Sequence, residues 1–409
     1  MKLDLILFTL YLILAALTLT SLLYFLVNAI ISWKYSKPAE KVESSPEDIT
    51  ILVPVYNEDP KIFNECMQAA KNQECSVIVV GDSCDEPYRS IAEKHGARFI
   101  LQEVRGGQKK AIERGMHEIS TPFTLLIDSD TILPDGAAVA MASNFRPDVG
   151  GVGPNLIVKN TGQPQAYGAE FIERSREVVY RAMSVHNAVL HLDGACIMYR
   201  TEIIKPLILS GEFANLKVAG KHTMLGEDWQ LAMHTIQSGY KLVKDYDVKV
   251  ITYPQKTMKK FFLQNIRWSR SEWIRFGREL KTGNVFKAGK FYSFELIYSY
   301  MLPLIALSLI LIRVYAFFSN LSGPEFLVDV IRGVFLLNKG ELSSILYGKI
   351  TFGMGSDIGS FIFLGTVLSN IKKERLRTLG YGALASGILF ATMIYGLLTF
   401  WKTTKWLTR

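Results

Sequence analysis

Apolar residues are concentrated in four long stretches, one near the start of the chain and three in its last third. Residues 5–33, 296–312 and 378–401 carry no charged side chain, and residues 350–371 carry only Asp357. A helix of about 20 apolar residues crosses a bilayer, so each stretch predicts a membrane span. The first is too long for the alternative, a cleaved signal peptide. Residues 325–346 are more charged and predict an interfacial or re-entrant helix.

The polar segment after the first stretch alternates short apolar runs with segments of helical spacing. Residues 49–55, 76–80, 98–101 and 123–127 predict strands, and residues 61–72, 86–95 and 109–119 predict helices. Strands and helices that alternate at this length predict an α/β fold with a doubly wound parallel sheet. Ligands bind such sheets at the carboxyl ends of the strands.

Charge and cysteine content favour a cytoplasmic location for residues 34–290. Basic residues follow the first apolar stretch and separate the last two, which predicts that both flanks are cytoplasmic and both chain termini lie outside. The four cysteines lie in this segment without a Cys-x-x-Cys pair, as expected for reduced thiols. The net charge of +8 is concentrated beside apolar segments, so we expect membrane lipids rather than nucleic acid as the partner.

Three aspartates follow predicted strands, where a ligand site is expected. Asp82 ends the second strand, and Asp128 and Asp130 follow the fourth. Such residues also form turns and caps, but an Asp-x-Asp offers the hard oxygen ligands that Mg²⁺ or Mn²⁺ shares with a diphosphate. Glu227 and Asp228 precede another predicted helix, and by themselves they are equally well explained as favourable first-turn charges.

Residues 256–281 predict a basic amphipathic helix directly before a span. Apolar residues recur at helical spacing, and the other faces carry eight lysines and arginines against two glutamates. That pattern is typical of a helix on a lipid surface.

Five short motifs occur in a fixed order: VPVYNED at 53–59, VVGDS at 79–83, DSDT at 128–131, GEDW at 226–229 and QNIRW at 264–268. Their order and spacing resemble the processive family 2 glycosyltransferases, such as hyaluronan synthase, chitin-oligosaccharide synthase and cellulose synthase. The resemblance covers about residues 49–276 and the pattern of spans. It implies a transmembrane helix at 1–33, a Rossmann-like GT-A domain at 34–253, interface helices with a Gln-x-x-Arg-Trp motif at 254–290, and a transmembrane region with about three spans at 291–409.

The resemblance also implies a role for each matching residue in a transfer from a UDP-sugar. It assigns donor binding to Tyr56, Glu58, Asp82, Asp128, Lys109, Gln264 and Arg267. It assigns Mn²⁺ or Mg²⁺ to Asp130, the catalytic base to Asp228 beside Glu227, and acceptor binding to Trp268, Gly194 and Ala195. The chain departs from the pattern in three places. Gly81-Asp82 stands where many relatives have two consecutive acidic residues, Gln108 replaces a usual lysine, and Asp193-Gly194-Ala195 replaces the common Ser-Gly-Pro.

Three functions remain open at this point. The first is an inverting enzyme of the cell membrane that extends a polysaccharide and exports it. The second is a non-processive transferase with a lipid acceptor, such as a polyprenyl phosphate or ceramide. The third is a membrane scaffold with an inactive transferase domain, which the intact acidic motifs disfavour.

Overall fold

The computed structural model describes residues 23–36, 41–320 and 359–403. Of the first predicted span it therefore includes only the last part, helix α1 (Leu23–Ser32). The helix predicted at 325–346 lies outside the described residues.

An eight-stranded sheet forms the centre of the molecule, in the order β3-β2-β1-β4-β7-β6-β10-β5. A short hairpin, β8–β9, stands apart from it. The strands are β1 (Ile49–Val55), β2 (Ser76–Asp82), β3 (Arg98–Gln102), β4 (Phe123–Ile127), β5 (Thr131–Ile132), β6 (Val149–Val158), β7 (Cys196–Arg200), β8 (Lys217–Val218), β9 (Lys221–His222) and β10 (Lys241–Thr252).

The predicted parallel sheet is confirmed for the four strands that the sequence predicted. β3, β2, β1 and β4 are parallel, as their apolar runs indicated. β7 instead runs antiparallel between β4 and β6, with Cys196 opposite Ile127. The segment that enters β7 therefore lies at the carboxyl end of β4, at the same edge as the strand-end aspartates.

Helices cover both faces of this sheet, because side chains on β1 alternate between two apolar cores. Leu52 packs in one core with Ile112, whereas Ile51 and Val53 pack in the other with Phe63. The helices here are α2 (Pro60–Lys71), α3 (Tyr88–Lys94), α4 (Gln108–Met116), α5 (Ala137–Ala142), α6 (Pro164–Val185), α7 (Thr201–Leu209) and α8 (Glu227–Gln237). The sequence predicted the helices at α2, α3 and α4 to within a few residues.

The remaining helices lie after β10. They are α9 (Met258–Thr282), α10 (Asn284–Lys287), α11 (Lys290–Asn320), α12 (Gly359–Asn370) and α13 (Arg375–Leu397). Lys290–Ser308 of α11 and the whole of α13 are long and apolar enough to cross a membrane, by length and composition alone. Polar contacts join α1 to α11, where Asn28 Nδ2 donates to Glu295 Oε1 at 2.7 Å.

The basic amphipathic helix predicted before the span is present as α9. Two of its basic residues are buried, however. Arg270 donates to Thr399 Oγ1 at 3.1 Å and to the Lys402 carbonyl at 2.8 Å, and Arg275 Nη1 lies 2.7 Å from His191 Nδ1. The interpretation of the basic faces as a lipid-facing surface is therefore wrong for Arg270 and Arg275, which bind other parts of the protein.

Candidate active site

Asp82 organises the glycine loop at the end of β2. Its Oδ1 accepts hydrogen bonds from Gln102 Nε2 and Gly106 N, both at 2.7 Å, and its Oδ2 accepts one from Gly107 N at 2.9 Å. Gly107 has a φ of 81°, a left-handed backbone conformation that favours glycine. The buried carboxylate thus fixes the loop that begins α4.

A cavity of about 450 Å³, which we call the strand-end cavity, opens at this edge of the sheet. Its lining residues are Pro54, Val55, Tyr56, Asp82, Arg105, Gly107, Gln108, Ala111, Asp128 and Met224. Three of the predicted donor residues, Tyr56, Asp82 and Asp128, are therefore in one cavity. Sequence reasoning missed Arg105, whose guanidinium carbon lies 3.9 Å from the centre of the Tyr56 ring. It also missed Met224, which no motif marks.

The Asp-x-Asp motif lies beside this cavity within a concentration of negative charge. Burial, followed by the carboxylates of Asp130, Asp128 and Glu58, raises the pKa of the Cys66 thiol. Gln108 Nε2 donates to Asp128 Oδ1 at 2.9 Å, so the residue that replaces the family's lysine contacts the motif directly. Within the described ranges, no group of three or more His, Cys, Asp or Glu residues is arranged to hold a metal ion. Two aspartates nevertheless suit a cation that takes its other ligands from a diphosphate and water.

Asp228 lies in a second cavity, of about 310 Å³, which we call the Asp228 cavity. Pro54 and Gln108 line both cavities, so the two adjoin. Asp228 Oδ1 accepts a hydrogen bond from Trp229 N at 2.7 Å in the first turn of α8. Burial, and then the neighbouring Glu227 carboxylate, raise the pKa of Asp228 to about 7. A carboxylate with such a pKa is suited to accept a proton near neutral pH.

The segment Asp193-Gly194-Ala195 joins Asp228 to the Asp-x-Asp motif. A β-carbon at Gly194 would lie 3.5 Å from Asp228 Cβ and 3.8 Å from its Oδ2. The Ala195 carbonyl accepts from Asp128 N at 3.0 Å and from Thr131 Oγ1 at 2.9 Å. Gly194 and Ala195 therefore lie between the two acidic motifs, as the antiparallel β7 requires.

Buried ion pairs hold the segment Asp193-Gly194-Ala195 in place. Asp193 pairs with Arg176 of α6 and with Lys244 of β10. These two cations hold the pKa of the Asp193 carboxyl well below its usual range despite its burial. Burial, together with the nearby Arg275, lowers the pKa of His191 to about 3, so His191 is neutral. Asp193 replaces the common serine with a negative charge, and two cations of this chain thus neutralise that charge.

Lys109, a predicted donor residue, does not line the strand-end cavity. Its side chain is 3% exposed, and its Nζ has no hydrogen-bond partner in the described part of the chain. Burial lowers the pKa of Lys109 to about 8, opposed by the carboxylates of Glu227 and Asp228. Its surroundings thus connect Lys109 with Glu227 and Asp228, and its contact with a donor stays a prediction.

The Gln-x-x-Arg-Trp motif lies on α9, which contacts α8 directly. Trp229 Nε1, one residue after Asp228, donates to Ser271 Oγ at 3.0 Å. Gln264 and Arg267 are half-buried, and Trp268 is 38% exposed. None of these three lines either cavity, so their roles stay predictions.

The chain matches the model of the family described as "Glycosyltransferase like family 2" over residues 46–271, more than half of its length. It belongs to glycosyltransferase family 2. The predicted assignment to this glycosyltransferase family is thereby confirmed, and the sheet together with the solved structure described below supports the predicted GT-A fold. The match contains the first four motifs and Gln-x-x-Arg-Trp.

Curated relatives of this glycosyltransferase include two N-acetylglucosaminyltransferases. One, from Rhizobium meliloti (strain 1021), is 27% identical over 249 residues, which are 57% of this chain and 58% of the relative. The other, from Sinorhizobium fredii (strain NBRC 101917 / NGR234), is 26% identical over 246 residues, 56% of this chain and 58% of the relative. The matched region thus spans a little more than half the length of these relatives.

A solved structure shares the fold. It is the mannosyltransferase PcManGT from Pyrobaculum calidifontis in complex with GDP-Man and Mn²⁺, with a TM-score of 0.51 and 14% identity. The similarity covers 96% of this chain and 100% of that one. At this identity the similarity bears on the fold alone.

Proposed function

We propose that this family 2 glycosyltransferase is a membrane-bound inverting enzyme that transfers N-acetylglucosamine from its UDP-sugar to the end of a growing glycan. The observation that carries the proposal is the position of Asp228, which faces Gly194 in a cavity that adjoins the strand-end cavity. A base beside an acceptor segment, next to a cavity lined by the predicted donor residues, suits direct transfer between two sugars. The choice of sugar rests on the names of the two rhizobial relatives.

In the proposed reaction the nucleotide occupies the strand-end cavity. Tyr56, stacked with Arg105, and the Asp82 loop hold the uridine, with Glu58 beside them. Asp128 lies near the ribose and diphosphate, and Lys109, Gln264 and Arg267 are the further donor contacts. Asp130, with Asp128, would hold Mn²⁺ or Mg²⁺, which when bound neutralises charge on the departing diphosphate.

The acceptor enters the Asp228 cavity, with its sugar ring on Trp268 and its reacting end beside Gly194 and Ala195. Asp228 removes the proton of the acceptor hydroxyl as that oxygen forms a bond to the anomeric carbon. The bond from this carbon to the diphosphate breaks on the opposite face, and UDP leaves. One displacement inverts the anomeric configuration, and the pKa of about 7 keeps much of Asp228 ionised at neutral pH.

The test is to incubate the purified full chain in lipid nanodiscs with Mn²⁺ and each labelled UDP-sugar, alone and in pairs. We expect UDP-N-acetylglucosamine to give products of several sugars, which mass spectrometry would size. The Asp228→Asn variant serves as the inactive control. A product with one sugar on a lipid would show that the acceptor is a lipid and not a growing glycan. Absence of transfer from every UDP-sugar by a chain that binds UDP would overturn the proposal.

A further inference from the structure

Helix α13 contacts the catalytic domain at its start. Glu374, the residue before the helix, accepts hydrogen bonds from Tyr167 OH at 2.6 Å and Asn160 Nδ2 at 2.8 Å. Tyr167 belongs to α6, and Asn160 follows β6 of the central sheet. The Tyr167 ring also stacks on Tyr381 with 5.7 Å between ring centres.

The end of α13 contacts the same domain at its active site. Arg270 of α9 binds Thr399 and the Lys402 carbonyl just after the helix. Met224, which lines the strand-end cavity, donates its N–H to the Thr403 carbonyl at 3.3 Å. Both ends of α13 are therefore fixed to one domain.

Between these ends, α13 follows α6 and then α9. Its buried residues recur at intervals of three, four or seven and so share one face: Thr378, Gly382, Ala385, Thr392 and Gly396. Gly382 lies against Phe171, and Gly168 lies against Ala385. Farther along, Gly396 lies against Ser269, and Trp273 Nε1 donates to the Met393 carbonyl at 2.8 Å.

Such contacts are incompatible with a membrane crossing. A helix of 23 residues is about 35 Å long, which exceeds the roughly 30 Å of a bilayer core, so a crossing would carry one end to the far side. The catalytic domain would then have to reach both membrane surfaces. α6, which accompanies α13, contains Glu170, Arg174 and Glu177 within its length and is unsuited to a bilayer interior.

The outer face of α13 is strongly apolar and is flanked by positive charge. Leu376 is 85% exposed, Leu384 52% and Leu398 62%. The exposed basic residues near its two ends are Lys372, Lys373, Arg375, Arg377 and Lys402. An apolar face between basic ends matches the boundary between lipid headgroups and acyl chains, where lysine and arginine meet anionic lipids.

We propose that α13 lies in the plane of the membrane surface on the side of the catalytic domain, with its apolar face in lipid. The residues that follow it, up to Thr403, then stay on that side and support the Met224 segment of the active site. This placement replaces the last span and the outside C-terminus that hydropathy predicts. It rests on the membrane location in the proposed function, but not on the identity of the sugar.

The test measures the membrane depth of single nitroxide labels by their collision with oxygen and with a water-soluble nickel chelate. Labels are placed by Leu376→Cys, Leu384→Cys and Leu398→Cys in the full chain in anionic liposomes. Leu311→Cys on α11 serves as the deep control and Glu47→Cys as the aqueous control. The parent chain, with its four native cysteines, is labelled as a blank.

We expect the three α13 labels to report one shallow depth while the Leu311 label is deep. A deep Leu384 label between two shallow ones would show a crossing and overturn the inference. Water-exposed labels along α13 beside a deep Leu311 label would also overturn it, because lipid would not cover the helix. If the Leu311 label is water-exposed as well, the membrane location in the proposed function fails.

Because the depths are measured without substrate, inactivity towards every UDP-sugar would overturn the proposed reaction but leave this result unchanged.

Discussion

Gly194 lies directly against the catalytic candidate Asp228. A β-carbon at position 194 would make an ordinary contact of 3.5 Å with Asp228 Cβ. Anything larger would occupy the space in front of the carboxylate. We therefore expect the size of the residue at position 194 to govern access to Asp228.

The first prediction is a size series at position 194. We expect Gly194→Ala to keep most transfer activity and Gly194→Val to lose it, because only valine fills the space beside Asp228. UDP binding, measured by calorimetry, should be equal in both variants, since Gly194 does not line the strand-end cavity. Equal activity of the alanine and valine variants would show that no acceptor passes Gly194.

The second prediction concerns Asp228 itself. Asp228→Asn keeps an oxygen that can accept the hydrogen bond from Trp229 N, so the first turn of α8 should be preserved. Transfer should fall by a factor of about 10² to 10⁴ or more, because the amide cannot accept the hydroxyl proton. The measurements are the rate of sugar transfer and the dissociation constant for UDP. The exposed Asp135→Asn is the matched control and should transfer at the parent rate.

If Asp228→Asn instead turns over at the parent rate, Asp228 is only a favourable charge at the start of a helix. The base would then have to be sought elsewhere.

The third prediction is the dependence of the rate on pH. Because the base acts in its ionised form and the pKa of Asp228 is raised to about 7, kcat/KM should rise with pH and level off above about 7 to 8. Glu227→Gln removes a like charge that contributes to this rise, so the acidic limb should move to lower pH.

The measurement is a pH–rate profile of each protein at saturating Mn²⁺. An unchanged limb in Glu227→Gln would contradict the electrostatic role of Glu227, and a loss of all activity would make Glu227 the better candidate for the base.

The fourth prediction separates two arginines of α9. Arg267→Lys keeps the charge but loses the planar, two-pronged donor set that suits a diphosphate, so transfer should fall at least tenfold with little change in melting temperature. Arg270→Lys should lower the melting temperature, because it weakens one buried and one partly buried hydrogen bond, worth about 1 kcal/mol or more each.

The exposed Arg114→Lys is the control for both measurements. If the Arg267→Lys variant transfers sugar at the parent rate, the assignment of its motif to the active site is wrong.

The sequence determined much of the catalytic half of this protein. The strands β1 to β4 and the helices between them follow from local periodicity, because their side chains are buried in a regular alternation. The carboxyl ends of parallel strands meet at one edge, so Asp82 and Asp128 could be assigned to one site before the structure was known. Both residues line the strand-end cavity.

Only the tertiary structure decided which distant segments complete the site. The antiparallel direction of β7 brings Gly194 to Asp228, and the loop held by Asp82 brings Arg105 to Tyr56. Neither contact leaves a pattern in the sequence, because pairing direction and loop path depend on residues far apart along the chain. The ion pairs of Asp193 with Arg176 and Lys244 are of the same kind, since each partner lies on a different element.

Hydropathy likewise left the position of α13 undetermined. An apolar stretch indicates only that its residues are excluded from water. A helix inside a bilayer meets that requirement, and so does a helix that lies between a protein face and lipid. The hydrogen bonds of Glu374 and Thr403 with one catalytic domain distinguish the two, because a spanning helix cannot place both ends on the same side of a membrane.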